Sequence, residues 1–84
     1  MSRVLKYNLT DGPVLMPLGA VVIHVAMQRG YMRLWAIVDD AQTTMEKRQF
    51  DVVGTGIHFN AAGKQHIATV IDGQFVWHAF EVTR

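Results

Sequence analysis

The chain has 84 residues, of which 50% are hydrophobic and 18% are charged, with a formal net charge of +1 and no cysteine. This balance excludes a disordered acidic or basic tail, a nucleic-acid grip that depends on bulk positive charge, and any disulfide or thiolate metal cluster. So short a chain has room for a single domain, over residues 1–84, and for only a thin core.

No segment carries a membrane signal. A signal peptide needs a continuous apolar run near the N-terminus, and polar residues interrupt the residues that follow Arg3 and Lys6. The longest apolar stretch, residues 19–27, contains His24 and is far shorter than the ~20 residues of a membrane-spanning helix. We therefore expect a cytoplasmic protein with no membrane partner.

Strand-forming residues crowd the apolar segments and seven glycines interrupt them, a pattern that favours strands joined by turns over helices. Residues 3–9 alternate as a strand does, and residues 14–16 form a short strand that Pro17 ends. A polar loop is predicted over residues 39–46. A weakly alternating strand is predicted over residues 47–53.

The two clearest strands, residues 20–28 and 31–38, flank Arg29-Gly30. A two-residue turn of type I′ requires a positive φ at Arg29, which is sterically unfavourable, so a three-residue or bulged connection stays open. The pairs that a two-residue turn predicts are Gln28–Tyr31, Met27–Met32, Ala26–Arg33, Val25–Leu34, His24–Trp35, Ile23–Ala36, Val22–Ile37 and Val21–Val38.

A second hairpin is predicted where Asp72-Gly73 separates residues 65–71 from residues 74–82. Simple pairing across that turn predicts Val70–Phe75, Thr69–Val76, Ala68–Trp77, Ile67–His78, His66–Ala79 and Gln65–Phe80. Both faces of both hairpins are largely apolar, unlike a single open sheet with one wet face. The sequence thus predicts an all-β domain, a small antiparallel sandwich or barrel of about six strands, with hairpins around Arg29-Gly30 and Asp72-Gly73.

Residues that could carry catalysis do not form a known motif. The pair Asp39-Asp40 opens a polar loop, where acidic residues commonly form turns and caps. Gly54-Thr55-Gly56 lacks the helix that a phosphate loop needs, and it favours a bulge or a tight bend. The one serine, Ser2, lies near the N-terminus, and no cysteine can serve as a nucleophile. We therefore expect a protein that is not an enzyme, with no catalytic residue and no cofactor.

The four histidines give only weak evidence for a metal site. Their spacing shows neither the i, i+2 nor the i, i+4 pairs common in metal sites, although His66 and His78 could be neighbours on the last hairpin. No metal is expected. Hydrolysis assisted by a metal on His58, His66 and His78 is the last-ranked hypothesis.

A row of binding-type residues lies on the first hairpin. Tyr31, Arg33 and Trp35 share one side of a predicted strand, with His24 beside Trp35. Tryptophan, tyrosine and arginine are enriched at the energetic centres of protein interfaces, and these four residues are the predicted partner-binding site. Two alternatives stay open: the aromatic rings stack the bases of a single strand, or Trp35 and Ile37 belong to a second core layer with Arg33 reaching outward.

Five segments follow one another in a fixed order, and with them the chain resembles a family of short proteins encoded in bacteriophage and prophage genomes. Asn8 stands where that pattern usually has proline. The resemblance implies a phage origin and an all-β domain, and it brings no catalytic residues. The segments are Lys6-Tyr7-Asn8-Leu9, Met16-Pro17-Leu18-Gly19-Ala20, Leu34-Trp35-Ala36-Ile37-Val38-Asp39, Gly54-Thr55-Gly56 and Phe75-Val76-Trp77-His78-Ala79-Phe80-Glu81.

These observations lead to a functional hypothesis. Small phage proteins without enzymatic motifs often act on host machinery, an analogy of context and not of chemistry. We expect a non-enzymatic protein-binding module that inhibits a host defence system, as anti-CRISPR proteins do, by covering a host protein; a homodimer would bury the same apolar surface. The alternatives are a minor virion component and a small β-barrel that binds single-stranded nucleic acid through Lys6, Arg29, Arg33, Lys47, Arg48 and Lys64.

Overall fold

A computed structural model describes residues 1–83 and shows eight β-strands and no helix within them. The predicted all-β class is confirmed, with eight strands where about six were expected. One of the additional strands arises because the segment around residues 45–54 divides at Gln49. No helix of the described residues is long and apolar enough to cross a membrane. The strands are β1 (Ser2–Asn8), β2 (Val14–Pro17), β3 (Val21–Gln28), β4 (Tyr31–Asp39), β5 (Met45–Arg48), β6 (Phe50–Gly54), β7 (Lys64–Asp72) and β8 (Phe75–Val82).

The strands form three antiparallel sheets. Sheet A has the order β1–β4–β3, sheet B pairs β2 with β5, and sheet C has the order β6–β8–β7. Sheets A and C approach each other where β3 lies beside β7. The molecule measures 41 × 30 × 18 Å, and its short dimension suits two packed layers about 10 Å apart with their outward side chains.

The core consists of apolar side chains alone, and no polar or charged residue among residues 1–83 is fully buried. Period-two alternation on the central strand β4 turns Leu34, Ala36 and Val38 inward, with exposed fractions of 0%, 0% and 3%. The buried residues are Val14, Met16, Ala20, Val25, Leu34, Ala36, Val38, Phe50, Val70 and Ala79.

The first hairpin has the predicted two-residue turn. Arg29 adopts a φ of 52° and Gly30 a φ of 82°, as a type I′ turn requires. The predicted pairs from Gln28–Tyr31 to His24–Trp35 are confirmed.

Beyond His24 the predicted register is wrong, because a bulge at Ile23 inserts one extra residue into β3. Val22 lies opposite Ala36 and Val21 opposite Ile37; the predicted pairs Ile23–Ala36, Val22–Ile37 and Val21–Val38 do not form. The bulge carries Val21 from the predicted inward side to the outer side of sheet A, where it is 57% exposed.

The second hairpin forms at the predicted place, but its loop is Gly73-Gln74, not Asp72-Gly73. Gly73 has a φ of 59° and takes the first central position, which type II′ turns reserve for glycine. Moving the loop by one residue moves the pairing by two, so Val70 lies opposite Trp77 and Ala68 opposite Ala79. From Ala68 to Asp72 the side chains keep their predicted faces, but the predicted partners are wrong.

A bulge at Ile67 then places His66 opposite Phe80 instead of Ala79. His66 therefore lies on the outer side of sheet C, together with Phe80 and His78.

Arg29→Asn is expected to stabilise the domain by about 0.5–1 kcal/mol, because Asn tolerates the left-handed backbone conformation that strains other side chains. Asn-Gly is also a preferred pair for a type I′ turn. Urea unfolding would show a higher midpoint, whereas Arg29→Lys, which keeps the strain, should stay within a few tenths of a kcal/mol. An unchanged or lower midpoint for Arg29→Asn would contradict this reading of the turn.

Candidate functional site

The four predicted partner-binding residues lie together on the side of sheet A that faces away from the core, here called the outer face of sheet A. Tyr31, Arg33 and Trp35 alternate with buried residues on β4, and His24 lies opposite Trp35 on β3. The ring centroids of His24 and Trp35 are 5.6 Å apart at an interplanar angle of 46°. The guanidinium carbon of Arg33 lies 5.4 Å from the centroid of the Tyr31 ring.

An aliphatic row continues the outer face of sheet A beyond Trp35. Ile37 on β4 lies opposite Val4 on β1 and opposite Val21 on β3. The three side chains are 38%, 52% and 57% exposed, in that order, and Ile23 at the bulge is 50% exposed. The aromatic residues and the aliphatic row thus form one continuous surface across three strands.

The charge of this surface is mainly positive. Arg33 Nη1 donates a hydrogen bond to Asn8 Oδ1, and Lys6 Nζ donates to Gln28 Oε1 at 2.8 Å. Neutral amides therefore hold both cations, and no carboxylate among residues 1–83 forms an ion pair with either of them. The one carboxylate at an outward strand position of the described sheet A is Asp39, at the far end of β4, where it lies 3.8 Å from the N-terminal ammonium.

Arg33 also keeps an unsatisfied donor. Its Nε is buried and has no hydrogen-bond partner among residues 1–83, although the residue as a whole is only partly buried. An orphaned donor on a cation is costly.

The cations of the nucleic-acid hypothesis are not collected on one surface. Lys64 Nζ lies 2.9 Å from Asp51 Oδ2 in sheet C, and Arg48 forms an ion pair with Glu81. Lys47 lies on β5 of sheet B. Only Lys6 and Arg33, with Arg29 at the adjoining turn, belong to sheet A.

Sequence reasoning missed a cavity of about 500 Å³ at one end of sheet C. Phe75 and Trp77 alternate on β8 with their rings nearly parallel, at 25° and a centroid distance of 5.9 Å. The turn after β6 closes with a hydrogen bond from Ile57 N to Gly54 O at 3.2 Å. Alternating aromatic residues next to a glycine turn were the available signal. The lining residues are Gly54, Thr55, Ile57, Gln74, Phe75, Val76 and Trp77.

Two of the histidines are linked through threonine hydroxyls on the outer side of sheet C. Thr69 Oγ1 lies 3.0 Å from His66 Nε2 and 3.1 Å from His78 Nδ1, and His78 Nε2 lies 2.7 Å from Thr55 Oγ1. His66 and His78 are thus brought close, as the sequence allowed. No group of three or more metal-ligating side chains converges among residues 1–83.

The chain was compared with known proteins. A family model described as a domain of unknown function, DUF7352, matches residues 1–84. Neither the curated proteins nor the solved structures contain a match. The chain therefore belongs to the DUF7352 family.

Proposed function

We propose that the protein is a non-enzymatic, phage-encoded binding module that inhibits a host defence system by covering the surface of a host protein with the outer face of sheet A. One observation carries the proposal. An exposed aliphatic row adjoins aromatic and cationic residues on one side of sheet A, and the nearby cations have no carboxylate partner within the described residues.

The composition of this surface suits a protein partner. Tyr31, Arg33 and Trp35 belong to the residue types that dominate binding energy at interfaces. The aliphatic row of Val4, Val21 and Ile37 supplies the apolar area that an interface core needs. Because these side chains project from hydrogen-bonded strands, the backbone beneath them is already ordered and loses little further conformational entropy on binding.

The charge of the surface selects an acidic partner. Lys6 and Arg33 would approach carboxylates on the partner, and Arg33 would form charge-assisted hydrogen bonds with them. A second copy of this chain would bring the same cations toward each other, and like charges across an interface cost several kcal/mol. A host protein with an acidic surface patch therefore suits this face better than a homodimer does.

The resemblance to phage and prophage proteins supports a host target. Small phage proteins without enzymatic motifs often act on host machinery. This step rests on analogy of context, so the experiment includes a test in infected cells.

Capture from a lysate of the bacterial host should recover one defined protein. Trp35→Ala and Arg33→Glu should each weaken its binding at least about tenfold, as expected for residues at the centre of an interface. Ile71→Ala is the matched control, since Ile71 is 74% exposed in sheet C and should leave binding unchanged. Circular dichroism would verify that each variant is folded.

In host cells, the parent protein should raise the plating efficiency of a phage that the defence system restricts, and Trp35→Ala should not. Equal binding by parent, Trp35→Ala and Arg33→Glu would overturn the proposed surface. Binding of a labelled oligonucleotide that weakens steeply with salt would instead assign the surface to single-stranded nucleic acid.

A further inference from the structure

Gly54 lies in the wall of the cavity at the end of sheet C. A close contact with Trp77, and not the backbone conformation, favours glycine at this position. Gly54 is not among the residues with positive φ. A Cβ atom placed on it would lie 3.3 Å from Trp77 Cζ3 and 3.5 Å from Ile57 Cγ1. The indole of Trp77 therefore lies close to position 54, and a side chain there would require the ring to shift by a few tenths of an ångström.

The turn after β6 forms the second wall. Gly56 has a φ of 86°, which lets the chain reverse so that Ile57 returns over Trp77. Ile57 is 65% exposed and Phe75 is 53% exposed, so the ring of Phe75 and the side chain of Ile57 stand at the mouth of the cavity. Trp77 also borders a second cavity of about 380 Å³.

The walls carry no charge. All seven lining residues are neutral, and aromatic rings form much of the apolar surface. Thr55 and Gln74 supply the polar groups, and the hydroxyl of Thr55 is oriented by Val76 O at 3.3 Å and by His78 Nε2 at 2.7 Å. A charged ligand would lose its hydration here without gaining an ionic partner.

We propose that this cavity binds a neutral, planar aromatic small molecule that stacks on Phe75 and Trp77 and turns its hydrogen-bonding edge toward Thr55 and Gln74. The volume of about 500 Å³ falls within the range of small-molecule sites. Since a dry apolar cavity of about 150 Å³ accepts benzene in another protein, one or two fused rings fit this space. The site lies in sheet C and does not depend on the binding role of sheet A.

The two tryptophans make the test specific, because the chain contains only Trp35 and Trp77. Each contributes one indole N–H signal to an ¹H–¹⁵N NMR spectrum, and Trp35→Phe assigns them. The probe is 2-naphthol, and decahydro-2-naphthol is the matched saturated compound with the same hydroxyl. Saturable shifts are expected at the Trp77 indole and the amides of the turn, residues 54–57, with the Trp35 indole unmoved.

The saturated probe should bind about tenfold more weakly, as should 2-naphthol to Phe75→Ala, because both changes remove the stacking of aromatic faces. Ile57→Ala, at the exposed mouth of the cavity, should also weaken the binding of 2-naphthol. This second variant tests the site if Phe75→Ala disturbs the hairpin. Equal affinity for the two probes, shifts centred on Trp35, or no saturable shift at millimolar probe would each overturn the proposal. Loss of partner capture by Trp35→Ala with the naphthol shifts intact would separate the two sites.

Discussion

Arg48→Ala is expected to remove a large share of the protein's free energy of unfolding, because Arg48 connects all three sheets. The residue lies on β5 of sheet B, and its Nε and Nη2 atoms donate to the two carboxylate oxygens of Glu81 in sheet C at 2.7 and 2.8 Å. Its Nη1 atom donates to the carbonyl oxygen of Ala20, directly before β3 of sheet A. A single side chain of sheet B thus satisfies acceptors in sheet C and directly before β3 of sheet A.

The energetic cost follows from burial. The side chains of Arg48 and Glu81 are only 14% and 17% exposed, and the hydrogen bond to Glu81 raises the pKa of the Arg48 guanidinium although burial opposes it. Removing the cation leaves the Glu81 carboxylate without its bidentate partner, which costs about 3 kcal/mol for a buried pair. An 84-residue domain has a total stability of roughly 4–13 kcal/mol, so the loss takes a large share of it.

Urea unfolding measures this loss, and a second ion pair of the same chain supplies the control. Arg3 Nε lies 2.6 Å from Asp40 Oδ1, but these side chains are 64% and 44% exposed. Arg3→Ala should therefore cost less than about 1 kcal/mol. The loss of unfolding free energy for Arg48→Lys should fall between those for Arg3→Ala and Arg48→Ala, because lysine keeps the charge and loses the bidentate geometry. Equal losses for Arg48→Ala and Arg3→Ala would show that the connection contributes nothing beyond a surface pair.

The sequence predicted correctly those features that interactions between neighbouring residues determine. The turn at Arg29-Gly30 needs only two residues in positive φ, and alternation then places Tyr31, Arg33, Trp35 and His24 on one side. The aromatic part of the outer face of sheet A therefore follows from the local residue pattern. The bulge at Ile23 does not follow from the local pattern, because consecutive β-branched apolar residues fit either register equally well.

Long-range contacts escaped prediction for a different reason. Arg48 and Glu81 are separated by 33 residues, and nothing in their local patterns relates them. The cavity likewise depends on Gly54 lying opposite Trp77 across β6 and β8. The division of residues 45–54 between sheets B and C could not be read from a weak alternation, because the partner strands decide it.

Leu34→Ala and Trp35→Ala, at adjacent positions on β4, are expected to separate stability from binding. Leu34 is fully buried, and its truncation should cost about 3 kcal/mol through lost burial and the remaining cavity. Trp35 points away from the core and is only partly buried, so its truncation should cost about 1 kcal/mol. In urea, the unfolding midpoint of Leu34→Ala should therefore lie below that of Trp35→Ala.

Partner affinity should show the reverse order once it is corrected for the folded fraction. Leu34→Ala that remains folded should bind as the parent does, because Leu34 contributes nothing to the outer face of sheet A. Trp35→Ala should lose about tenfold or more. Ile37→Ala tests the same division in the aliphatic row, since Ile37 is 38% exposed and belongs to the outer face of sheet A. If Leu34→Ala weakens binding as much as Trp35→Ala at equal folded concentration, the alternation of β4 does not divide the two functions, and the binding surface lies elsewhere.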